Sequence, residues 1–353
     1  MFSFIILAIS LAVSTVLNSD EIHVADSHGP ISIMGDHMHK KGEVMLSYRF
    51  GQMKMQNIAN GTKKIDINSV MSSPNGASNN SGNYMNSPIS MKMNMHMFGA
   101  MYAPLDNLTL MIMSSYQEKV MTQQRMPMVG GSRFKVNSSG IGDTRISSLI
   151  NLFDNEMAKT NIGIGLSLPT GSINERDATP TSKDSRLGYS MQNGTGTYDL
   201  IFFLNNINKI GKVRIGEQFF FKKAASGNNS KNYRYGDVFD LNIWSSFRWI
   251  DNVSSSIKIN YSYQKKMNGS DNEMNPRMSP AMDSYNKGNN KINVGFGINF
   301  INTSKILKNH RLGIEGIFPI YQNYRGLQMQ ETYRFIIGWQ YALWINVVKK
   351  LNL

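Results

Sequence analysis

The sequence predicts an all-β protein, a transmembrane antiparallel up-and-down β-barrel of about twelve strands. The first observation behind this prediction is that apolar and polar residues alternate over stretches of about ten residues, as they do on the two faces of a barrel strand. The second is that long polar loops and short turns follow each other along the chain, which is typical of outer-membrane barrels. Because lipid tolerates no open sheet edge, the strands are expected to close.

The 353-residue chain begins with an apolar run from Phe2 to Leu17. This run is short for a membrane-spanning helix and polar residues follow it, so residues 1–19 are predicted to be a secretory signal peptide. Residues 20–41 form a polar lead that contains histidines and methionines. Residues 42–353 are predicted to form the barrel.

The first two strands, residues 43–56 and 91–102, have the clearest faces. The first places Val44, Leu46 and Phe50 opposite Arg49. In the second, the odd positions hold five methionines, while the even positions hold, in order, Lys92, Asn94, His96, Phe98, Ala100 and Tyr102. The sequence leaves the face of the methionines open, because the opposite face holds Lys92, Asn94 and His96 as well as Phe98 and Tyr102. The lumen is the favoured side, since Phe98 and Tyr102 would then belong to the aromatic girdle at the membrane boundary.

The next five strands are predicted at residues 108–119, 143–153, 161–168, 197–206 and 213–222. Short turns at 103–107, 154–159 and 209–212 alternate with long loops at 57–90, 120–140 and 169–195. Apolar residues alternate with Asn, Gly and Ser in 161–168, which fits a strand with one face in lipid. The sequence does not decide which side of the strand 213–222 faces the lumen, since Glu217 shares a face with Ile215 and Phe219.

The last five strands are predicted at residues 238–250, 254–264, 291–301, 311–321 and 332–345. In 238–250, apolar residues that include Phe247 and Trp249 oppose Asp240, Asn242 and Arg248. Charged residues on the inner face predict a lumen that contains water. Carboxylates such as Asp240 are expected to form ion pairs there with arginines.

Composition excludes several classes of function. The chain has no cysteine, which rules out disulfides and thiolate metal sites. Its net charge of +13 comes from dispersed residues without a compact Lys/Arg block, so nucleic acid is not the expected partner. Outer-membrane lipid and lipopolysaccharide are expected partners, in the outer membrane of a Gram-negative bacterium. No histidine lies beside a Gly-flanked serine, and we predict no enzymatic activity.

Methionine, with 25 copies, recurs with histidine in clusters. Thioether and imidazole groups together select soft metals, above all Cu(I). The predicted metal-binding residues are Met34, His37, Met38, His39, Met91, Met93, Met95, His96 and Met97. The alternative is that the methionines are flexible apolar filler without a metal.

Three segments carry a resemblance to a known family: GIGDT at residues 140–144, LSLPTGSINER at 166–176 and GTGTYDL at 194–200. They resemble the outer-membrane barrels named for a putative MetA pathway of phenol degradation. The resemblance implies an outer-membrane transporter, and the family's name suggests hydrophobic aromatic cargo. It implies no catalytic residue.

Three hypotheses of function follow from the sequence. The first is a barrel that passes a small solute through its lumen, with Cu(I) as a candidate cargo. The second is a channel for hydrophobic or aromatic compounds. The third is a binding or structural barrel that conducts nothing.

Overall fold

The computed structural model describes residues 24–76, 82–302 and 309–344. Eleven strands form one closed sheet in which every neighbouring pair is antiparallel. These strands are β1 (Glu43–Gly61), β3 (Asn86–Leu105), β4 (Leu108–Arg125), β6 (Thr144–Asp154), β7 (Ala158–Leu168), β10 (Asp199–Ile210), β11 (Val213–Ala224), β13 (Val238–Ile250), β14 (Val253–Gln264), β16 (Asn289–Asn302) and β17 (His310–Trp344). Pairing of β17 with β1 closes the barrel.

The predicted count of about twelve strands becomes eleven because residues predicted as two strands form the single 35-residue strand β17. Its residues up to Tyr324 pair with β16, and those from Tyr324 onward pair with β1. Gly326, with a φ of 67°, lies between these two arms. The arms lie side by side, since the His310 ring stacks on Tyr341 with centroids 4.4 Å apart.

The connections lie at two different ends of the barrel. Short turns occupy the end at which β1 begins, which we name the short-turn end. At the opposite, long-loop end, the loops contain further elements that the sequence did not predict. These are β2 (Lys63–Ile65), α1 (Ile67–Ser72), β5 (Arg133–Ile141), β8 (Arg176–Thr179), β9 (Ser182–Arg186), β12 (Tyr233–Arg234) and β15 (Asn268–Gly269).

Apolar side chains cover the outside of the barrel, on the faces that the alternation predicts. Phe98, Ile164 and Ile298 are each more than half exposed. Exposed aromatic residues lie near both ends, with Trp249 and Tyr102 at the short-turn end and Tyr198 and Tyr263 at the other. This arrangement is an apolar belt with two aromatic girdles, as a membrane barrel requires.

The structure shows which residues of β11 face outward, which the sequence left open. Ile215 is exposed on the outer face, whereas Arg214 and Gln218 are buried on the inner face. Glu217 therefore shares the outer face with Ile215.

Residues 24–39 lie inside the barrel, at the short-turn end, and we name them the plug. Residues 20–23 of the predicted lead lie outside the described residues, as does the predicted signal peptide at residues 1–19.

No helix within the described ranges is long and apolar enough to cross a membrane.

Candidate functional site

The plug is held in the lumen by polar side chains of the barrel. Asp26 is 1% exposed and pairs with Arg214 at 2.9 Å, and its other oxygen lies 3.7 Å from Arg248. Arg311 donates to the Gly29 carbonyl at 2.6 Å. Further hydrogen bonds join the plug to the side chains of Thr109, Asn205, Gln218, Ser254 and Glu315. Since its backbone groups have partners on many barrel strands, these contacts hold the plug in the lumen.

Two barrel glycines make room for the plug. Ile31 packs against Ile317 and Ile336 in the wall. A Cβ atom on Gly338 would lie 2.6 Å from Ile31 Cγ1, and one on Gly313 would lie 2.9 Å from Ile31 Cβ. Side chains at these two positions would displace the plug.

Three histidines of the plug meet at the short-turn end. His28 Nδ1 lies 3.2 Å from His37 Nδ1, which lies 2.8 Å from Asp36 Oδ1. The His39 ring centroid is 4.9 Å from that of His37, and His39 Nδ1 is 3.1 Å from the Glu43 carboxylate. One ligand atom each of His28, Asp36 and His37 lies within 4.8 Å of the others, so this group has the spacing to hold a metal ion.

Burial and neighbouring charges set the protonation of this cluster. Burial lowers the pKa of His28 well below its usual value, and the charges of His37 and Arg311 lower it further. Burial likewise lowers the pKa of His39, against the opposing effect of Glu43. Burial alone would raise the pKa of Asp36, but the contact with His37 lowers it far below its usual value. His28 and His39 are therefore neutral imidazoles near an ionised carboxylate, the state in which imidazole binds metals.

A pocket of about 230 Å³ opens beside these histidines. His28, His37, Met38 and His39 line it together with barrel residues that include Trp344. The pocket gives a small ion or molecule access to the cluster from the short-turn end.

Methionines of three neighbouring strands form a continuous surface in the lumen, which we name the methionine wall. In the strand register, Met45 pairs with Met101, which pairs with Met111. Nearer the long-loop end, Met55 pairs with Met91, which pairs with Met121. Directly opposed residues have Cβ atoms about 4.5–5.5 Å apart, so each row brings three thioethers together.

Further methionines connect the two rows. Met93 pairs with Met53, and Met95 and Met97 are at the next two inward positions of β3. Inward positions on one strand repeat about every 6.8 Å, so thioethers recur at that interval along most of the wall. The inward face of the ladder follows from the burial of Met91 and Met101 and the exposure of Phe98 and Tyr102 on the other side.

Both ends of the wall are covered. At the short-turn end, Met34 and Met38 of the plug pack against the cluster of Met45, Met101 and Met111. At the long-loop end, Leu187 and Met191 pack on Met91 and Met121. A pocket of about 200 Å³ adjoins this second cluster, and its lining includes Met121, Met191, Met278 and Met282.

The structure thus brings eight of the nine predicted metal-binding residues into the lumen and separates the ninth. His96 lies on the outer face, where its Nδ1 is 2.8 Å from the Tyr48 hydroxyl and its ring is 5.2 Å from that of Phe50. The prediction that His96 acts with the methionines is wrong, because residues of opposite parity on a strand point to opposite faces. His28 and Asp36 are the candidate ligands that sequence reasoning missed.

Charged pairs line other parts of the lumen, and one of them adjoins the wall, since Glu331 of β17 is paired with Met55 of β1. Lys258 contacts Glu315 at 2.6 Å, Lys291 contacts Glu331 at 3.0 Å, and Lys222 contacts Asp199 at 3.0 Å. Arginines also pair with carboxylates in the lumen, since Arg334 lies 2.8 Å from Glu331 and Arg214 and Arg248 both lie beside Asp26 of the plug.

The three segments that carry the family resemblance converge at the long-loop end. The Asp143 carboxylate accepts hydrogen bonds from the Gly171 backbone at 3.1 Å and from the Thr195 backbone and hydroxyl at 2.9 and 2.8 Å. A Cβ atom on Gly194 would lie 2.2 Å from the Gly171 carbonyl oxygen, so the loops approach too closely for a side chain. These motifs therefore have a structural role in joining loops.

Comparison with known proteins finds similarity in structure alone. No protein-family profile matches the chain, so the specific family of the resemblance is not confirmed. No curated protein matches it in sequence.

The chain is similar in structure to an outer-membrane channel from Pseudomonas putida, with a TM-score of 0.59 and 12% identity over 88% of this chain and 99% of that one. It also aligns with the β domain of the Bordetella autotransporter BrkA (TM-score 0.45, 10% identity, 85% and 99% covered). A third alignment is with a mutant of the TodX monoaromatic hydrocarbon channel (TM-score 0.42, 11% identity, 86% and 91% covered). The closed barrel and its apolar belt place the chain in the outer membrane of a Gram-negative bacterium.

Proposed function

We propose that this barrel passes a small solute through its lumen and that the solute is a soft metal cation, Cu(I) or Ag(I). The observation that carries the proposal is the methionine wall, with its rows Met45–Met101–Met111 and Met55–Met91–Met121. The structural similarity to an outer-membrane channel supports the passage of a solute.

Thioether chemistry favours this cargo. Sulfur ligands prefer soft monovalent ions to hard cations such as Mg²⁺ or Ca²⁺. A path for ions must also release what it binds, and a series of neutral, weakly binding sites meets that requirement. Met34 and Met38 extend the series to the pocket at the short-turn end.

The second candidate is a small apolar compound, such as an aromatic hydrocarbon. The same wall favours it, since methionine is apolar and its flexible side chain adapts to ligands of varied shape. The pocket at the long-loop end is suited to such a ligand, because Phe134, Val136 and Leu187 line it with the methionines.

Replacement of Met91, Met93, Met95 and Met97 by Leu separates the two candidates. Leucine conserves volume and apolarity, so the barrel is expected to assemble normally. Purified protein in liposomes should lose most of its Ag(I) flux and binding, while the flux of a small aromatic compound stays within twofold. Met128 and Met157, which lie outside the wall, provide the control when replaced by Leu.

Each alternative has a distinct result. Unchanged Ag(I) binding and flux in the fourfold variant would show that the methionines only fill space. Flux of the aromatic compound without Ag(I) flux would favour the second candidate. If neither solute crosses in the wild type, the barrel has a binding or structural role.

A further inference from the structure

We propose that the plug contains a binding site for a divalent metal ion of the zinc class, formed by His28, Asp36 and His37, and that the bound ion holds the plug in its folded position. The site uses imidazole and carboxylate groups rather than thioethers. It is therefore independent of the cargo proposed for the methionine wall.

The distances fit a metal site. Zinc bonds of about 2.0–2.1 Å place neighbouring tetrahedral ligand atoms about 3.3 Å apart. The His28 and His37 Nδ1 atoms are 3.2 Å apart, and Asp36 Oδ1 is 2.8 Å from His37 Nδ1. Ligand atoms of His28 and Asp36 lie within 4.8 Å of each other, so this side of the triangle has to shorten for the three groups to form one face of a tetrahedron.

Hydrogen bonding among the described residues leaves this cluster incompletely satisfied. A single proton on His37 Nδ1 has to serve both Asp36 and His28. The Nε2 atom of His39 is buried without a hydrogen-bond partner among the residues that the structure describes. Buried polar atoms without partners are costly, and a metal bound by His39 Nε2 as well as by the Nδ1 atoms of His28 and His37 would give this atom a partner.

Surrounding groups hold the ligands in place. The second oxygen of Asp36 accepts from the Gly29 backbone at 2.7 Å, and Glu43 holds His39 by its Nδ1. Carboxylates that orient a histidine in this way are typical of metal sites. His39, whose side chain is 4% exposed, is the nearest further imidazole and the candidate fourth ligand. The adjacent pocket supplies an entry path.

The charge of the surroundings limits the affinity. Arg49 and Arg311 both interact electrostatically with Asp36, and their positive charges disfavour a bound metal cation. Arg311 is also engaged by the Gly29 carbonyl and by Asn299. We therefore expect reversible binding, which suits a site that controls the plug.

The bound ion would hold the plug by linking two separate parts of it. His28 and His37 are nine residues apart in sequence, so a metal bound to both closes the loop of residues 29–36. Closing this loop disfavours its open conformations. Metal should therefore keep the lumen blocked, and its removal should free the plug.

Calorimetric titration of the purified barrel with Zn²⁺ tests the site. We expect one ion per chain, and at least tenfold weaker binding in His28→Gln, Asp36→Asn and His37→Gln. His96→Gln, at a histidine on the outer face, should bind as the wild type does. Absence of Zn²⁺ binding in the wild type, or an equal loss in His96→Gln, would overturn the proposal.

Planar-bilayer conductance tests the control of the plug. Zn²⁺ should lower the wild-type current and EDTA should restore it, whereas His28→Gln should respond to neither. Zn²⁺ binding without any change in current or in its fluctuations would overturn this half of the proposal. A barrel that binds Zn²⁺ at the plug but transports no Ag(I) would refute only the cargo proposed above.

Discussion

At the scale of single residues, Asp143 shows how one half-buried side chain ties the two ends of a long loop to the start of β6. Its two carboxylate oxygens accept hydrogen bonds from Gly171 and Thr195, which lie near opposite ends of the 169–195 loop. Thr170 adds a hydrogen bond from its hydroxyl to the Gly142 carbonyl at 2.9 Å. The junction fixes the long-loop ends of β6, β7 and β10 next to one another.

Replacement of Asp143 by Ala is expected to open this junction. Hydrogen bonds to charged groups contribute about 1.5–3 kcal/mol each, so the loss should raise hydrogen exchange of the Gly171 and Thr195 amides at least tenfold. The measurement is amide exchange by mass spectrometry on the purified barrel. Asp184→Ala is the matched control, because its side chain is 73% exposed and pairs with Arg176 at the surface. Similar exchange in both variants would contradict the structural role of Asp143.

At the scale of elements, the plug depends on a buried ion pair. Asp26 neutralises Arg214 and lies near Arg248, and the Ala25 backbone bonds to the turn at Asp251 at 2.9 Å. Removal of one partner from a buried pair typically costs about 3–5 kcal/mol, because the remaining charge is left uncompensated. Because Asp26 belongs to the plug, the plug is the element that should respond first.

Asp26→Asn is therefore expected to loosen the plug while the barrel stays closed. The chain has no cysteine, so a single Ile33→Cys reporter can be labelled with a maleimide. Ile33 is 3% exposed, and labelling should be slow in the reporter protein and at least tenfold faster when Asp26→Asn is added. Asp251→Asn, at a carboxylate 72% exposed beside the same Arg248, serves as the control. Equal labelling rates with and without Asp26→Asn would show that the ion pair does not hold the plug.

At the scale of the whole molecule, the lining of the lumen changes around the barrel. Strands β1, β3 and β4 present thioethers, whereas β10, β11, β14, β16 and β17 present paired lysines, arginines and carboxylates, and β17 lies directly beside β1. The plug covers the wall at the short-turn end, and loop residues such as Leu187 and Met191 cover it at the other. Passage of any solute along the wall therefore requires movement at both ends.

The orientation of the whole barrel is open to a direct test. Long loops face the outside of the cell in barrels of this class and short turns face the periplasm. A membrane-impermeant maleimide should label Lys183→Cys, in β9, on intact cells, and should label Lys212→Cys, in a short turn, only after the outer membrane is opened. Labelling of Lys212→Cys on intact cells would show that the barrel has the opposite orientation in the membrane.

The sequence alone predicted the barrel and the faces of most strands, whereas it left the face of β11 open and favoured the lumen for the methionine ladder without deciding it. Alternation is a local property, since each peptide unit turns the next side chain to the opposite face whatever its partner strand is. Phe98 and Tyr102 were the local evidence for the outer face of their own strand, but Lys92, Asn94 and His96 share that face. The sequence also predicted the metal-binding character of Met34, His37, Met38 and His39, which stays a prediction.

Only the tertiary structure decided which of these residues meet. Residues 24–39 have no periodic pattern, so nothing local indicates that they enter the lumen or that His28 returns to His37. The rows of three methionines depend on the register between β1, β3 and β4, which one residue of slippage would destroy. The continuity of β17 likewise follows from its pairing with both β16 and β1. Register and closure join residues that are far apart in sequence, and their free energy depends on the whole barrel rather than on any one segment.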